Sequence, residues 1–255
     1  MTLTTGEPDA PHTGGEAPSV PRNDKLAGYD AFTERVREMC AHPGTQQALR
    51  VGLGRTLDEM PGRTHAALLR HGIIPDRTSG LDKRAYYAVA ALIASRPRAE
   101  RRADAVARQE AAEKLEPDEH VPDAGDASAA AAESGARAGQ QKSSWGSSFG
   151  ESLAALAARR GRTATAADST AAAPSRQPDK ISGVEQRLHL LVRQDIDGVH
   201  RMLPPLVRQL GSAGLPVDYG RLLHDLARWP YRRDDVVLRW LEDYYRTLRR
   251  AERSA

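Results

Sequence analysis

Asp234-Asp-Val-Val-Leu-Arg-Trp-Leu-Glu-Asp-Tyr-Tyr-Arg-Thr-Leu248 decides the fold class of this chain. Within it Val237, Leu241, Tyr244 and Leu248 recur at steps of four, three and four. That period lines apolar side chains along one stripe of a helix, whereas a half-buried strand needs alternation every second residue. Asp234 supplies the polar start.

Working back from this stretch, every apolar segment repeats the pattern. Asp218 begins a helix with Leu222, Leu223 and Leu226 that ends near Trp229-Pro230. Asp197 is read as the cap of a helix holding Val199, Leu203, Leu206, Val207 and Leu210, and Asp195 as the end of the helix before it. Pro204-Pro205 is expected to kink or restart that helix, because each proline removes a backbone donor. Val184 to Gln194 carries Leu188, Leu191 and Val192, and Ser147 or Ser148 caps a helix running through Arg160. Nearer the start, Leu26 to Cys40 places Tyr29, Phe32, Val36 and Met39 on one stripe. Thr45 is read as the cap of Gln46 to Arg55, and Arg63 to His71 stops at Gly72. Leu81 to Ser95 is apolar enough for a central buried helix, and Pro97 ends it. The reading is all-α: two small helical bundles, about nine helices in total, joined by a long disordered linker.

Composition sets the boundaries. Residues 1–23 and 97–144 are rich in Ala, Gly, Pro, Ser and charge, and bury too little apolar surface to offset the entropy of ordering them. They are read as a disordered tail and a disordered linker. The N-terminal helical half is then 24–96, and the C-terminal half is 145–161 with 181–255, interrupted by a flexible loop at 162–180. Cys40 is the only cysteine, so the chain alone forms no disulfide and no thiolate metal site. No run approaches the roughly 20 apolar residues that span a bilayer. The opening Met-Thr-Leu-Thr-Thr-Gly-Glu lacks the positive start and apolar centre of a signal peptide, which predicts a cytoplasmic protein without a membrane partner.

Little chemistry is visible. There is no phosphate-cradling Gly-rich loop, His-Glu-x-x-His pair or Gly-x-Ser-x-Gly elbow, and the eight histidines are scattered without a ligand pattern. No catalytic residue, metal site or cofactor is assigned, and an enzyme is the least favoured class. A helix-turn-helix reading of Val217 to Leu241 fails on the bulky Trp229-Pro230-Tyr231 where a small turn residue is usual.

The cations are more informative. Net charge is only +3, but they are overwhelmingly Arg, whose planar fork grips a phosphate with two hydrogen bonds. A GC-rich coding sequence accounts for part of that excess. Arg201 and Arg208, seven apart, share a helix face at about 10 Å, a spacing that suits phosphate tracking. Arg187 and Arg193 are six apart and do not share a narrow face, while Arg159-Arg160 and Arg232-Arg233 form pairs at helix boundaries. For any single one, solvation of an outer face is the more common role. The collective expectation is that arginines from separate helices converge on one continuous cationic surface.

Several segments in order resemble a known family. Gly183-Val-Glu-Gln-Arg-Leu-His-Leu-Leu-Val-Arg-Gln-Asp, then Leu215-Pro-Val-Asp-Tyr-Gly-Arg-Leu-Leu-His-Asp-Leu-Ala-Arg-Trp, then Arg232-Arg-Asp-Asp-Val-Val-Leu-Arg-Trp-Leu-Glu-Asp-Tyr-Tyr are similar to the CasB family, the small subunit of the type I-E CRISPR Cascade complex. Ser148-Phe-Gly-Glu-Ser-Leu and Leu81-Asp-Lys-Arg-Ala-Tyr-Tyr sit where that family opens its C-terminal half and has its N-terminal core helix. The match is good over Ser147 to Tyr245 and weaker over Tyr29 to Ser95.

The resemblance implies a non-catalytic, nucleic-acid-binding subunit present in two copies. Its implied partners are guide RNA, target DNA including the displaced non-target strand, and the large and backbone subunits. Carried over by position, Arg193 is the best-matched basic site, followed by Arg187, Arg232 and Arg233. Lys83, Arg84, Arg50 and Arg55 come from the weaker half, and Arg201, Arg208, Arg159 and Arg160 complete the candidate set. The alternative is a protein–protein adaptor whose arginines only solvate it.

Overall fold

Polar residues just ahead of the apolar runs set most helix starts. In the computed structural model, which describes residues 23–113, 145–168 and 182–254, nine α-helices follow one another. They are α1 (Asp24–Met39), α2 (Pro43–Arg50), α3 (Gly62–Leu69), α4 (Gly80–Ser95), α5 (Arg98–Glu113), α6 (Phe149–Asp168), α7 (Gly183–Val192), α8 (Ile196–Ser212) and α9 (Tyr219–Arg253). Among the described residues there is no strand. The expected tail, most of the expected linker and part of the expected loop lie outside the described residues.

Asn23, Ser79, Ser148, Ser182, Asp195 and Asp218 each accept a backbone N–H of the first turn, a bond worth about 1 kcal/mol per helix. Two expected caps move. Asp195, not Asp197, caps α8 by accepting Gly198 N–H at 2.7 Å, because α7 stops at Val192 and leaves Asp195 in the extended conformation a cap requires. α2 begins at Pro43 rather than after Thr45, since proline's fixed φ and missing N–H suit the first helical position.

Three helices run longer than the composition suggests. α5 occupies the start of the expected linker; its Ala, Arg, Glu and Gln are strong helix formers, and its anchors are polar rather than apolar. Arg101 bonds the carbonyls of Arg96 and Cys40, and Arg96 reaches Glu100 at 3.2 Å. α6 passes Arg160 and continues to Asp168. α8 runs unbroken through Pro204-Pro205, where a kink is expected: the prolines forfeit two intrahelical bonds, but buried Leu203, Leu206, Val207 and Leu210 hold both halves to the core. The kink falls in α9 instead. Arg232, two residues after Pro230, leaves helical geometry (φ −139°, ψ 39°), so α9 is two straight segments meeting where the sequence placed a boundary.

The two halves share one core. α4 buries Ala85, Tyr86, Tyr87 and Val89 through Ala94, and packs α2 on one side and α9 on the other. α9 also lies along α6 and α1, α7 rests on α6, and α8 touches α7, α4 and α6. Phe32, Tyr86, Leu153, Leu188, Leu203, Trp229 and Trp240 belong to the same continuous apolar cluster. In the last segment the fully buried line is Val236, Trp240 and Tyr244; of the expected stripe Tyr244 is in it, while Val237, Leu241 and Leu248 are half-buried beside it. Gly150 lies so close to α9 that a methyl there would overlap the Trp240 carbonyl.

Candidate nucleic-acid interface

α7 ends and α8 begins within residues 192–197, and Arg193, Arg233, Arg84 and Arg201 gather there, with Arg55 linked to them through Glu59. Arg193 closes α7 and is exposed. Arg233, just past the α9 kink, donates Nη2 to the Val192 carbonyl at 2.8 Å, satisfying an orphan acceptor and placing a cation at the negative end of α7. From α4, Arg84 forms an ion pair with Asp197 in the first turn of α8 and is only 12% exposed. Burial pulls the Arg84 guanidinium pKa below its usual value; the charge of Arg201 adds to this, while Asp195 and Glu59 oppose it. Arg55 reaches the Glu59 backbone carbonyl at 3.4 Å. Glu59 is held below the ordinary carboxylate range first by Thr56 hydrogen bonds, then by Arg55 and Arg84. The junction thus joins candidates from both halves of the chain, which the sequence could not show.

It also carries carboxylates, and this corrects the expectation of one unbroken cationic surface. Asp197, Asp195 and Glu59 stand among Arg84, Arg201 and Arg55: Asp195 caps α8, Asp197 lies in its first turn and Glu59 accepts the Thr56 N–H in the loop before α3. The remaining candidates lie apart. Arg159 donates to the Ala213 carbonyl at the C-terminal end of α8, with exposed Arg160 beside it. The 17 residues of α8 put that end about 25 Å from the Asp195 cap. Arg187 bonds Gln209 Oε1 at 2.9 Å. Arg208 lines a cavity of about 320 Å³ shared with Glu34, Arg37, Arg96 and Glu100. Arg232 is exposed with Asp235 at 3.9 Å, Lys83 is half-buried and Arg50 is exposed at the end of α2.

Three polar features are not evident from the sequence. Asp225 is fully buried and gathers Trp240 Nε1 at 2.7 Å, His224 Nδ1 at 3.2 Å, Arg221 Nε at 3.5 Å and Arg239 Nη2 at 3.8 Å. The spacing of Arg221 and Asp225, four apart on a helix, was the available signal. At the α9 kink, Arg228 and the exposed Tyr231 open onto a groove. In the sequence Tyr231 reads only as part of a bulky turn. His189 also has a carboxylate one helical turn away, Glu185 at 3.8 Å, with the Tyr245 hydroxyl bonded to both. Among the described residues no three His, Cys, Asp or Glu groups come together as a metal site, and no helix is long and apolar enough to cross a membrane.

Comparison with known proteins identifies the relatives of this architecture. Residues 47–245 match the family model described as CRISPR-associated protein Cse2. A chain of a CRISPR RNA-guided surveillance complex is 29% identical with a TM-score of 0.58, over 90% of this chain and 98% of its own. A chain of a pre-nicking CRISPR RNA-guided surveillance complex is 30% identical with a TM-score of 0.59, over the same shares of the two chains. The crystal structure of M. ruber CasB is 19% identical with a TM-score of 0.58, over 90% of this chain and 99% of its own, and speaks for the fold alone. No curated protein matches the chain. The family match covers most of the chain, including the α7–α8 junction and the α9 kink, and so the all-α architecture built around them is that of the CasB/Cse2 family, to which this chain belongs.

Proposed function

We propose that this chain is the non-catalytic small subunit of a type I-E CRISPR surveillance complex, Cascade, and that it binds nucleic-acid backbone there. In that role it holds the displaced non-target strand and supports the guide–target duplex, in the cytoplasm and without a membrane. The two similar chains from surveillance complexes support the assembly. Guide RNA, target DNA, the large and backbone subunits and a second copy of this chain are the partners this reading entails.

The observation that carries the nucleic-acid part is the α7–α8 junction, where exposed Arg193 adjoins the helix end that Arg233 caps and exposed Arg201 lies near Arg84. R-loop formation exchanges one duplex for another at nearly balanced energy, so a few backbone contacts suffice to bias it. Because Asp195 and Asp197 interrupt the cations, the contact is a short patch for two or three phosphates rather than a long track. Fluorescence polarisation of the full chain with a labelled single-stranded DNA at low salt tests it. Binding that fades with salt supports the proposal, and absence of binding favours the adaptor.

A further inference from the structure

The groove at the α9 kink joins features that none of the sequence-derived site residues, Arg232 apart, accounts for. It encloses about 530 Å³, within the range of small-ligand clefts. Tyr231 stands on its rim, 60% exposed, which is unusual for an aromatic side chain in a protein with so few of them. Its position follows from the backbone. Pro230 withholds an amide and Arg232 leaves helical geometry, so the chain breaks beside Tyr231. The ring is also anchored: its hydroxyl lies 3.1 Å from Ser79 Oγ, the side chain that caps α4. An exposed aromatic held by its hydroxyl has already lost part of the rotational freedom that binding would otherwise cost.

The charges around it match a polyanion. Arg77, Arg228 and Arg232 line the groove against one carboxylate, Asp82. Arg232 has Asp235 at 3.9 Å, but both are about two-thirds exposed, a contact too weak to withhold the guanidinium. Here three cations line the groove with a single carboxylate, a larger excess than at the α7–α8 junction, and an aromatic ring lies among them. Stacking on aromatics combined with phosphate contacts is how sequence-tolerant proteins hold unpaired strands.

We infer that this groove is a base-stacking subsite for single-stranded nucleic acid, with the Tyr231 ring as the platform and Arg77, Arg228 and Arg232 taking the flanking phosphates. The inference rests on the nucleic-acid reading proposed above and adds to it a contact with the base. It replaces the expectation of pure phosphate tracking with one stacked base at a defined place.

The test measures affinity of the full chain for a fluorescent 12-nucleotide strand, and for the same strand with abasic sites, in DNA and RNA forms. Wild type, Tyr231→Leu, Tyr231→Phe and Arg193→Ala are compared. Stacking contributes enough per base that Tyr231→Leu should weaken the intact strand about tenfold, while Tyr231→Phe stays within about twofold. Wild type should prefer the intact strand over the abasic one by a similar factor, and Tyr231→Leu should lose that preference. Whichever sugar form shows the larger loss identifies the strand served, and either supports the subsite. If Tyr231→Leu binds the intact strand as wild type does while Arg193→Ala weakens it, the stacking subsite is overturned and the nucleic-acid reading stands. If wild type binds neither strand, both are overturned.

Discussion

Trp240 donates its indole N–H to Asp225 at 2.7 Å, joining the two straight segments of α9 across the kink at Arg232. Both residues are fully buried, and Arg221, Arg239 and His224 crowd the same carboxylate. Asp225 therefore neutralises buried Arg221 and ties together the segments of the helix that packs α1, α4 and α6. Asp225→Ala leaves Arg221 buried without its counter-ion and should cost about 3–5 kcal/mol. Trp240→Phe, which keeps the charge and removes the donor, should cost at least about 1–3 kcal/mol. Urea titration of both variants checks the order; equal stability of Asp225→Ala and wild type contradicts it.

A second prediction concerns the α6–α9 contact. Gly150 is the only residue type that fits beneath the Trp240 carbonyl, since any Cβ there meets backbone rather than a movable side chain. Gly150→Ala should lower stability by about 1–3 kcal/mol, the usual cost of overpacking, despite alanine's better helix propensity. A raised melting temperature in this variant would show that the close approach is absent.

His200 predicts an acid-sensitive fold. It is buried in α8 with neither ring nitrogen hydrogen-bonded, and burial, reinforced by Arg84, pushes its pKa down to about 3. The fold favours the neutral ring, so this contribution is complete above the unfolded value of about 6.5 and is lost as pH falls toward 3. His200→Leu should flatten stability across that window, gaining on wild type by on the order of a few kcal/mol at the acid end. Parallel pH profiles for the two proteins would contradict this.

Much of the fold was legible because periodicity reports burial directly. Leu188, Leu191, Leu203 and Leu222 were placed inward from spacing alone, and all four are core residues. α5 was not legible, because its order comes from helix propensity and ion pairs such as Arg96–Glu100, which composition scores as linker. The continuity of α8 through Pro204-Pro205 depends on tertiary burial that a local rule cannot weigh. The site was half legible. Residue type pointed to arginine, but whether Arg84 meets Arg201 across a gap of more than a hundred residues, and whether Asp197 stands between them, is decided by helix packing. Tyr231 was hidden for the opposite reason, since the kink that exposes it reads in sequence only as a bulky break.

In the function proposed, exposed arginines at the α7–α8 junction and the α9 kink hold the phosphates of an unpaired strand. The most direct measurement is single-stranded DNA affinity across a salt series for wild type and the double variant Arg193→Glu with Arg232→Glu, with incorporation into the assembled complex followed in parallel. The logarithm of affinity should fall with the logarithm of salt by about 0.7 per phosphate held. The variant should assemble normally, bind at least about tenfold more weakly at low salt and show a slope shallower by about one phosphate or more. Equal affinity and equal slope for the two proteins would contradict the claim.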